Sequence, residues 1–518
     1  MARIRTGRSR RRRPRSSRGE DLMSALPDDL LLLVLRRLDT RTALGTALLS
    51  TRWARLHREL SVLDFRVGSM LPPRYHRLLL LLDDMDIKDH YLRYKRRCEL
   101  RPKIRRYERG AMRALSRSVE SFLDDEGARR SVSRLKLEFF ITHNPDCMNR
   151  LIAKSIDEWG LSDLEAVAKP IDSKQSAHTF PSHGLCQAAR ASCLRSLRLG
   201  GCALPPLLHE FTALTMLVLQ DIKRSTPREA YEGVFTLCTQ LQVLHLKSCD
   251  CPSEETDLVV DAPSSQIREL VLDRCRFGQV RMRALPNLES LASLDTTLHF
   301  DQSASFPRLR QCNHATWVGS LVFIRGRPRE YIGHQRELNS FLGRTPYITN
   351  LVLRFTGPRR WIVPPPTGSP SPSLPKLRKL LVADVPSSWD VSWPRLLLEM
   401  APSLETLHIH IAPCSGRAGR AIPWEPTELR RRHLKEFVVA GFQGTKRHIC
   451  FVKFVVGVST SLRRVALFRN GRAEDKGHWD WEMVTEEHSW TNRQRNATQK
   501  KIMDGVSFSR SPPRFVFG

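Results

Sequence analysis

The feature that most limits the fold is a leucine pattern that returns along most of the chain. The best copy reads Leu194-Arg-Ser-Leu197-Arg-Leu199-Gly-Gly-Cys202-Ala-Leu204. Further copies start at Leu214, Leu241, Ile267, Ile348, Leu377, Leu404, Leu434 and Leu462. From Leu214 to Ile267, and again from Ile348 to Leu462, the starts lie 26–30 residues apart. Weaker copies at Val132, Leu161, Leu288 and Leu309 fill the gaps. The fourth and sixth positions share one side of an extended strand. No single unit can bury its apolar side alone, so neighbouring units must stack on one continuous core. The expected class is α/β: a solenoid over residues 132–470, each unit a strand followed by a helix or loop.

The alternation carries a second consequence. Residues beside the core leucines must line the opposite, open face of the strands. Candidates for contacting a ligand there are Arg198, Gln220, His245, Lys247, Arg354, Lys379, His408 and His410. Their mixed character suits a protein ligand better than bare nucleic acid. Cys202, Cys249 and Cys275 fall at a small turn position and are expected to be buried packing residues.

Composition closes several other routes. The chain has 518 residues, with 84 lysines and arginines against 54 acidic residues, a formal charge of +30. The longest apolar runs are Leu30–Leu35 and Leu78–Leu82, far short of the ~20 residues of a membrane helix. The polar stretch after the basic start, Ser16 to Asp21, does not read as a signal peptide. Twelve cysteines, none in a CxxC pair, are too dilute for a disulfide framework, so reduced thiols and a nuclear or cytoplasmic setting are expected. There is no phosphate loop, nucleophile elbow, HExxH or dinucleotide fingerprint. No catalytic residue, metal or cofactor is assigned.

Residues 21–61 differ from everything after them. Leu26-Pro27-Asp28-Asp29 precedes a leucine run, with proline where a missing N–H costs nothing and acids at the positive helix end. Leu30, Leu31, Val34, Leu35 and Leu38 recur at helical spacings. Thr42–Leu48 reads as a short second helix weakened by Gly45, and Ser50 as the N-cap of a third carrying Trp53 and Leu56. Three helices in so short a segment make a very small core. Some of the leucines therefore require a partner.

Residues 26–56 resemble the F-box through Leu26, Pro27, Asp28, Leu30, Leu31, Val34, Leu35, Leu38, Thr42, Ala43, Thr46, Leu49, Ser50, Arg52, Trp53 and Leu56. Gly45 departs from the pattern, which usually has a larger residue there. The order of F-box, basic link and repeats resembles the grass-type F-box/leucine-rich-repeat proteins. The segment 430–470, holding HLKEFVVAGFQG and FVKFVVGVSTSLRRVALF, resembles the FBD region that often closes them. The resemblance implies a non-catalytic substrate receptor of an SCF-type ubiquitin ligase. Leu26, Pro27, Leu30, Leu31, Val34, Leu35, Leu38 and Trp53 would meet a Skp-family adaptor held by a cullin, and the repeats would capture a protein target. Two alternatives are a non-degradative F-box scaffold and a basic nucleic-acid-binding repeat protein.

Three flanking segments complete the expected layout. Residues 1–20 hold nine arginines and one glutamate, and should form a solvated tail. Arg8, Arg10, Arg11, Arg12, Arg13 and Arg15 form a candidate nuclear signal there. Residues 62–131 read as a basic helical link; between Tyr91 and Arg113 ten lysines and arginines face two glutamates, with three tyrosines interleaved. That pattern suits a solvated helical connector better than a nucleic-acid site. Residues 471–518, with Trp479, Trp481 and Trp490, should cap the array.

Overall fold

A row of leucine side chains explains the architecture. The computed structural model describes residues 26–518 apart from 47–48, 57–58, 84–89, 125–130, 142–145, 172–176, 253–256, 302–303, 305, 318–321, 325–326, 330–341, 344, 357–372, 388–393, 414–428, 486–489 and 507–511. Arg8 to Arg15 therefore lie outside the described residues. Fifteen described strands stand side by side, every neighbouring pair parallel and in chain order. They are β1 (Val62–Arg66), β2 (Arg134–Phe140), β3 (Asp163–Lys169), β4 (Ser196–Gly200), β5 (Met216–Gln220), β6 (Val243–Lys247), β7 (Glu269–Asp273), β8 (Ser290–Leu294), β9 (Gln311–Trp317), β10 (Asn350–Thr356), β11 (Lys379–Pro386), β12 (Thr406–Ala412), β13 (Glu436–Ala440), β14 (Arg464–Phe468) and β15 (Arg514–Phe517). The sheet is long and open rather than a closed barrel.

Register is fixed by the leucines. One column runs Leu63, Leu135, Leu164, Leu197, Leu217, Leu244, Leu270 and Leu291, each the partner of the next. All are buried. A one-residue slip would turn every one of them to the other face, so burial holds the alignment. The neighbouring column breaks at Ser293 and His314, which is why the copies at Leu288 and Leu309 look weak in the sequence.

The turn after each strand also repeats. Gly201, Asp221, Ser248, Arg274, Asp295 and Gly441 immediately follow β4, β5, β6, β7, β8 and β13, and all have positive φ. At Gly201 and Gly441 an added Cβ would lie 1.8 Å from the Ala168 carbonyl oxygen and 2.1 Å from that of Ile411, so only glycine fits. The next residue, Cys202, Cys249 or Cys275, is buried in the core. Cys275 Sγ donates to the Leu246 carbonyl at 3.2 Å, tying one unit to its predecessor.

Two segments depart from the expected layout. Val62–Arg66, assigned to the basic link, is the first strand of the sheet. Its signal is Leu60-Ser-Val-Leu63-Asp-Phe65, a further copy of the same pattern whose three apolar positions are all buried. Arg514–Phe517, expected to be a short apolar end of the cap, adds a strand beside β14. Between β1 and β2 run α4 (Pro73–Asp83) and the 34-residue α5 (His90–Leu123), after α1 (Asp28–Leu35), α2 (Thr40–Gly45) and α3 (Thr51–Leu56). Helix α5 buries Ala111, Leu115, Val119 and Phe122 in the core shared with the sheet, with Phe122 edge-on to Phe65 at 5.5 Å. The helix α6 (Asp146–Asp157) follows β2.

Candidate functional site

The N-terminal helices are pinned by a few polar contacts. The Arg52 guanidinium donates to Asp28 at 2.6 Å and also to the Leu26 carbonyl, while Arg55 reaches the other Asp28 oxygen at 2.7 Å. The Arg52 hydrogen bond, aided by Arg55, holds the Asp28 carboxyl below its ordinary pKa. Asp28 thus links the start of α1 to α3. Asp39 caps α2 by accepting from the Thr42 backbone N–H at 3.0 Å. Ser50 accepts from the Trp53 N–H at 3.3 Å, as the capping pattern predicts. Thr40 ties the bundle to the sheet by accepting from the Asp64 N–H at 2.6 Å.

With the bundle so fixed, the leucine run splits by helical phase. Leu31, Leu32 and Leu35 face inward onto Trp53 and Leu56. Leu30, Leu33, Val34 and Leu38 face out, with Leu33 54% exposed, and Leu49 beyond α2 is 70% exposed. Side chains of this size left in water at adjoining turns make an apolar patch suited to another protein.

The open face of the sheet divides into two regions. Along β1 to β4 its central column is Asp64, Lys136, Glu165 and Arg198, a ladder of alternating charge. Lys136 and Arg198 flank Glu165 at 3.7 and 3.5 Å. From β7 onward the column is mostly apolar, with Val271, Ala292, Val352, Leu381, Val438 and Ala466 all buried and Asn313 and His408 as its polar members. The cover is a hairpin made by Gly471–Asp475 and Trp481–Thr485, which folds back over the face. Ala473, Trp481 and Met483 pack on Val352, Leu381 and Ala383. The His478 carbonyl accepts from Asn313 Nδ2 at 2.7 Å, and Asp475 pairs with Arg354.

Beneath the hairpin the histidines have partners within the chain. His410 Nδ1 lies 2.9 Å from Asp384, which Arg354 also holds at 3.1 Å. Burial opposes the Asp384 charge, yet His410 and Arg354 together keep its pKa below the ordinary value. His245 Nε2 lies 2.6 Å from Glu269, and its ring meets that of His478 edge-on at 5.4 Å. Among the described residues no group of three His, Cys, Asp or Glu side chains could hold a metal ion, and no helix is long and apolar enough to cross a membrane. The eleven described cysteines are free.

The N-terminal segment decides the assignment. Residues 23–57 match the family model of the F-box domain. The chain carries an F-box. A search of the curated proteins found no match to the chain. F-box domains typically bind Skp-type adaptors of SCF ubiquitin ligases, and F-box proteins are generally non-catalytic substrate receptors.

Within the F-box, three expected adaptor contacts are corrected. Leu31, Leu35 and Trp53 belong to the domain's own core, because residues four apart share a helix face and that face meets α3. Pro27, Leu30, Val34 and Leu38 are exposed and Leu26 is half-buried. Leu33 and Leu49 are exposed as well; the three-residue step from Leu30 to Leu33 is the sequence signal for the first. On the sheet, Arg198, Gln220, Lys247 and Lys379 remain accessible to different degrees. His245, Arg354, His408 and His410 do not line an open surface: each is nearly buried and bonded to its own chain.

Proposed function

We propose that this chain is the substrate-receptor subunit of an SCF-type ubiquitin ligase. The exposed patch of Leu30, Leu33, Val34 and Leu38 docks the F-box on a Skp-family adaptor held by a cullin. The parallel array, read as a leucine-rich-repeat solenoid with an FBD-like closing region at 430–470, captures the target protein. The uncovered part of its face, around Arg198, Gln220 and Lys247, is the surface for that capture. The arginine tail at residues 8–15 acts as a nuclear address, giving a nuclear or cytoplasmic protein. The chain itself makes and breaks no bonds; it raises the concentration of the target beside the conjugating enzyme.

The observation that carries this reading is the outward apolar patch on a domain that matches the F-box. Burial of an aliphatic side chain is worth about 1.5–3 kcal/mol when complete. Alanine at Leu30, Leu33 and Val34 together should therefore weaken adaptor capture by about 4 kcal/mol, roughly a thousandfold. The measurement is co-purification of a Skp-family adaptor with the full chain and with the triple variant. A folded wild-type chain that captures no adaptor defeats the ligase reading.

A further inference from the structure

The basic helix α5 turns one face into an open cleft that the receptor reading does not use. Arg106, Arg109, Arg113 and Arg117 line it from α5, and Arg150 lines it from α6. Steps of three and four residues put the α5 arginines on one helix face. At 1.5 Å per residue the row runs about 16 Å. Among the described residues two acids, Glu120 and Asp146, share the lining, and the cavity measures about 1490 Å³.

None of these five arginines pairs with a carboxylate among the described residues. Arg109, Arg113 and Arg117 each donate Nε to the carbonyl one turn back, at 3.3, 3.4 and 3.3 Å, which leaves their terminal amino groups for a ligand. Guanidinium groups so presented suit phosphate and carboxylate oxygens, which they bind with two parallel hydrogen bonds.

A second cleft of about 860 Å³ lies along the same helix and shares Arg106 and Arg113 with the first. Its lining joins the apolar Met70, Leu78, Leu81 and the ring of Tyr107 to Arg74, Arg77 and Lys103, and no acid is among the described residues that line it. Anion sites continuous with an apolar trough call for an occupant with both kinds of group. A row about 16 Å long matches roughly five residues of extended chain at about 3.3 Å each. Single-stranded nucleic acid wants free aromatic faces for its bases. Among the described residues the first cleft has one phenylalanine, Phe180, already engaged edge-on by His178 at 4.9 Å, and the second has one tyrosine, Tyr107, so the two offer no series of stacking faces.

We propose that the α5 clefts bind an extended acidic peptide with phosphorylated side chains, its anions on Arg106 to Arg117 and an apolar side chain beside Leu81. This names a chemistry for the captured protein at a place separate from the sheet face. It rests on the receptor reading only for who supplies the peptide. Because the assay below uses the chain without adaptor, failure of F-box docking and failure of this site give different results.

The test is fluorescence anisotropy of the full chain at physiological salt with a short labelled peptide that alternates phosphoserine and glutamate and ends in leucine. Arg109→Gln with Arg113→Gln should weaken binding roughly tenfold or more, as should replacing phosphoserine by serine. Leu81→Ala should weaken the leucine peptide but not one ending in glycine. Arg430→Gln with Arg432→Gln, an exposed pair elsewhere, should leave affinity within about twofold if simple net charge is not the cause. A readout that needs no variant is arginine modification by phenylglyoxal, which the peptide should slow at Arg109 and Arg113. Equal losses in both arginine pairs, no protection of Arg109, or tighter binding of an oligouridylate that ignores Leu81 would each overturn the proposal.

Discussion

The indole Nε1–H of Trp481 donates a 2.8 Å hydrogen bond to Nδ1 of His408, a residue 73 positions earlier in the chain. With the Arg354–Asp475 and Asn313–His478 contacts, it seats the hairpin on the sheet. Trp481→Ala removes the donor and the ring that covers Leu381, with an expected cost of about 2 kcal/mol. Hydrogen exchange should then quicken in β12 and within 471–485 while β2 to β4 keep their protection. Uniform loss of protection along the sheet would mean the hairpin is part of the global fold.

Leu31 and Leu33 stand two residues apart and should behave oppositely. Leu31 is wholly buried, so Leu31→Ala should cost about 2–5 kcal/mol of stability. Leu33→Ala should leave the melting temperature nearly unchanged and weaken adaptor binding. Thermal melts beside adaptor titrations read both effects in one set of proteins.

Two glycines make a similar contrast. Gly201→Ala forces a side chain into the Ala168 carbonyl at a positive φ, and should destabilise by several kcal/mol, on the order of the larger strain effects. At Gly45 nothing lies within 4 Å of an added Cβ, and the residue ends α2 with helical geometry. Gly45→Ala should therefore stabilise the F-box by about 0.5–1 kcal/mol. Denaturant unfolding followed by circular dichroism distinguishes the two.

Acid should weaken the fold before the carboxylates titrate. Burial lowers His178 and His448 each to a pKa of about 4 from the ordinary 6.5. His448 Nδ1 accepts the Gln443 backbone N–H at 3.1 Å, which the neutral ring alone can do. Below pH 6.5 the unfolded chain takes up protons that the folded chain refuses, so stability falls as pH drops from 6.5 toward 4. The slope approaches about 1.4 kcal/mol per pH unit for each histidine. His448→Gln should flatten the pH dependence of the denaturation midpoint over that window.

What the sequence disclosed follows from how far apart the interacting residues are. The leucine columns were legible because Leu217, Leu244 and Leu270 repeat a local rule, each unit burying its strand on the one before. The last strand was not, since Arg-Phe-Val-Phe at 514–517 has no leucine three residues ahead of it; Pro512 stands there instead. In the F-box the leucine run announced a helix with two apolar sides. Which side was free depended on where α3 packed, and the Asp28 link to Arg52 and Arg55 sets that. The covering of His408 and Arg354 was illegible for a different reason. Trp481 and Asp475 carry no pattern that names their partners, and they read as an end cap; Trp490 does fill that role, with Arg469 above its ring at 4.2 Å and Phe442 stacked beside it.

Parallel strands laid down in chain order give this molecule a calendar as well as a shape. Each strand needs only the one before it, so the sheet can grow as the chain leaves the ribosome, N-terminal end first. The F-box is complete early. The hairpin at 471–485 arrives almost last, and its contacts reach back to Asn313, 165 residues earlier, and beyond it to the ring of His245. Until then the mostly apolar half of the sheet, from Val271 to Ala466, stands bare on every nascent molecule. A stop codon that falls after β14 but before residue 471 would make that condition permanent. Such a product would keep its F-box and fourteen strands, yet display a greasy plane that the full-length protein never shows to its surroundings.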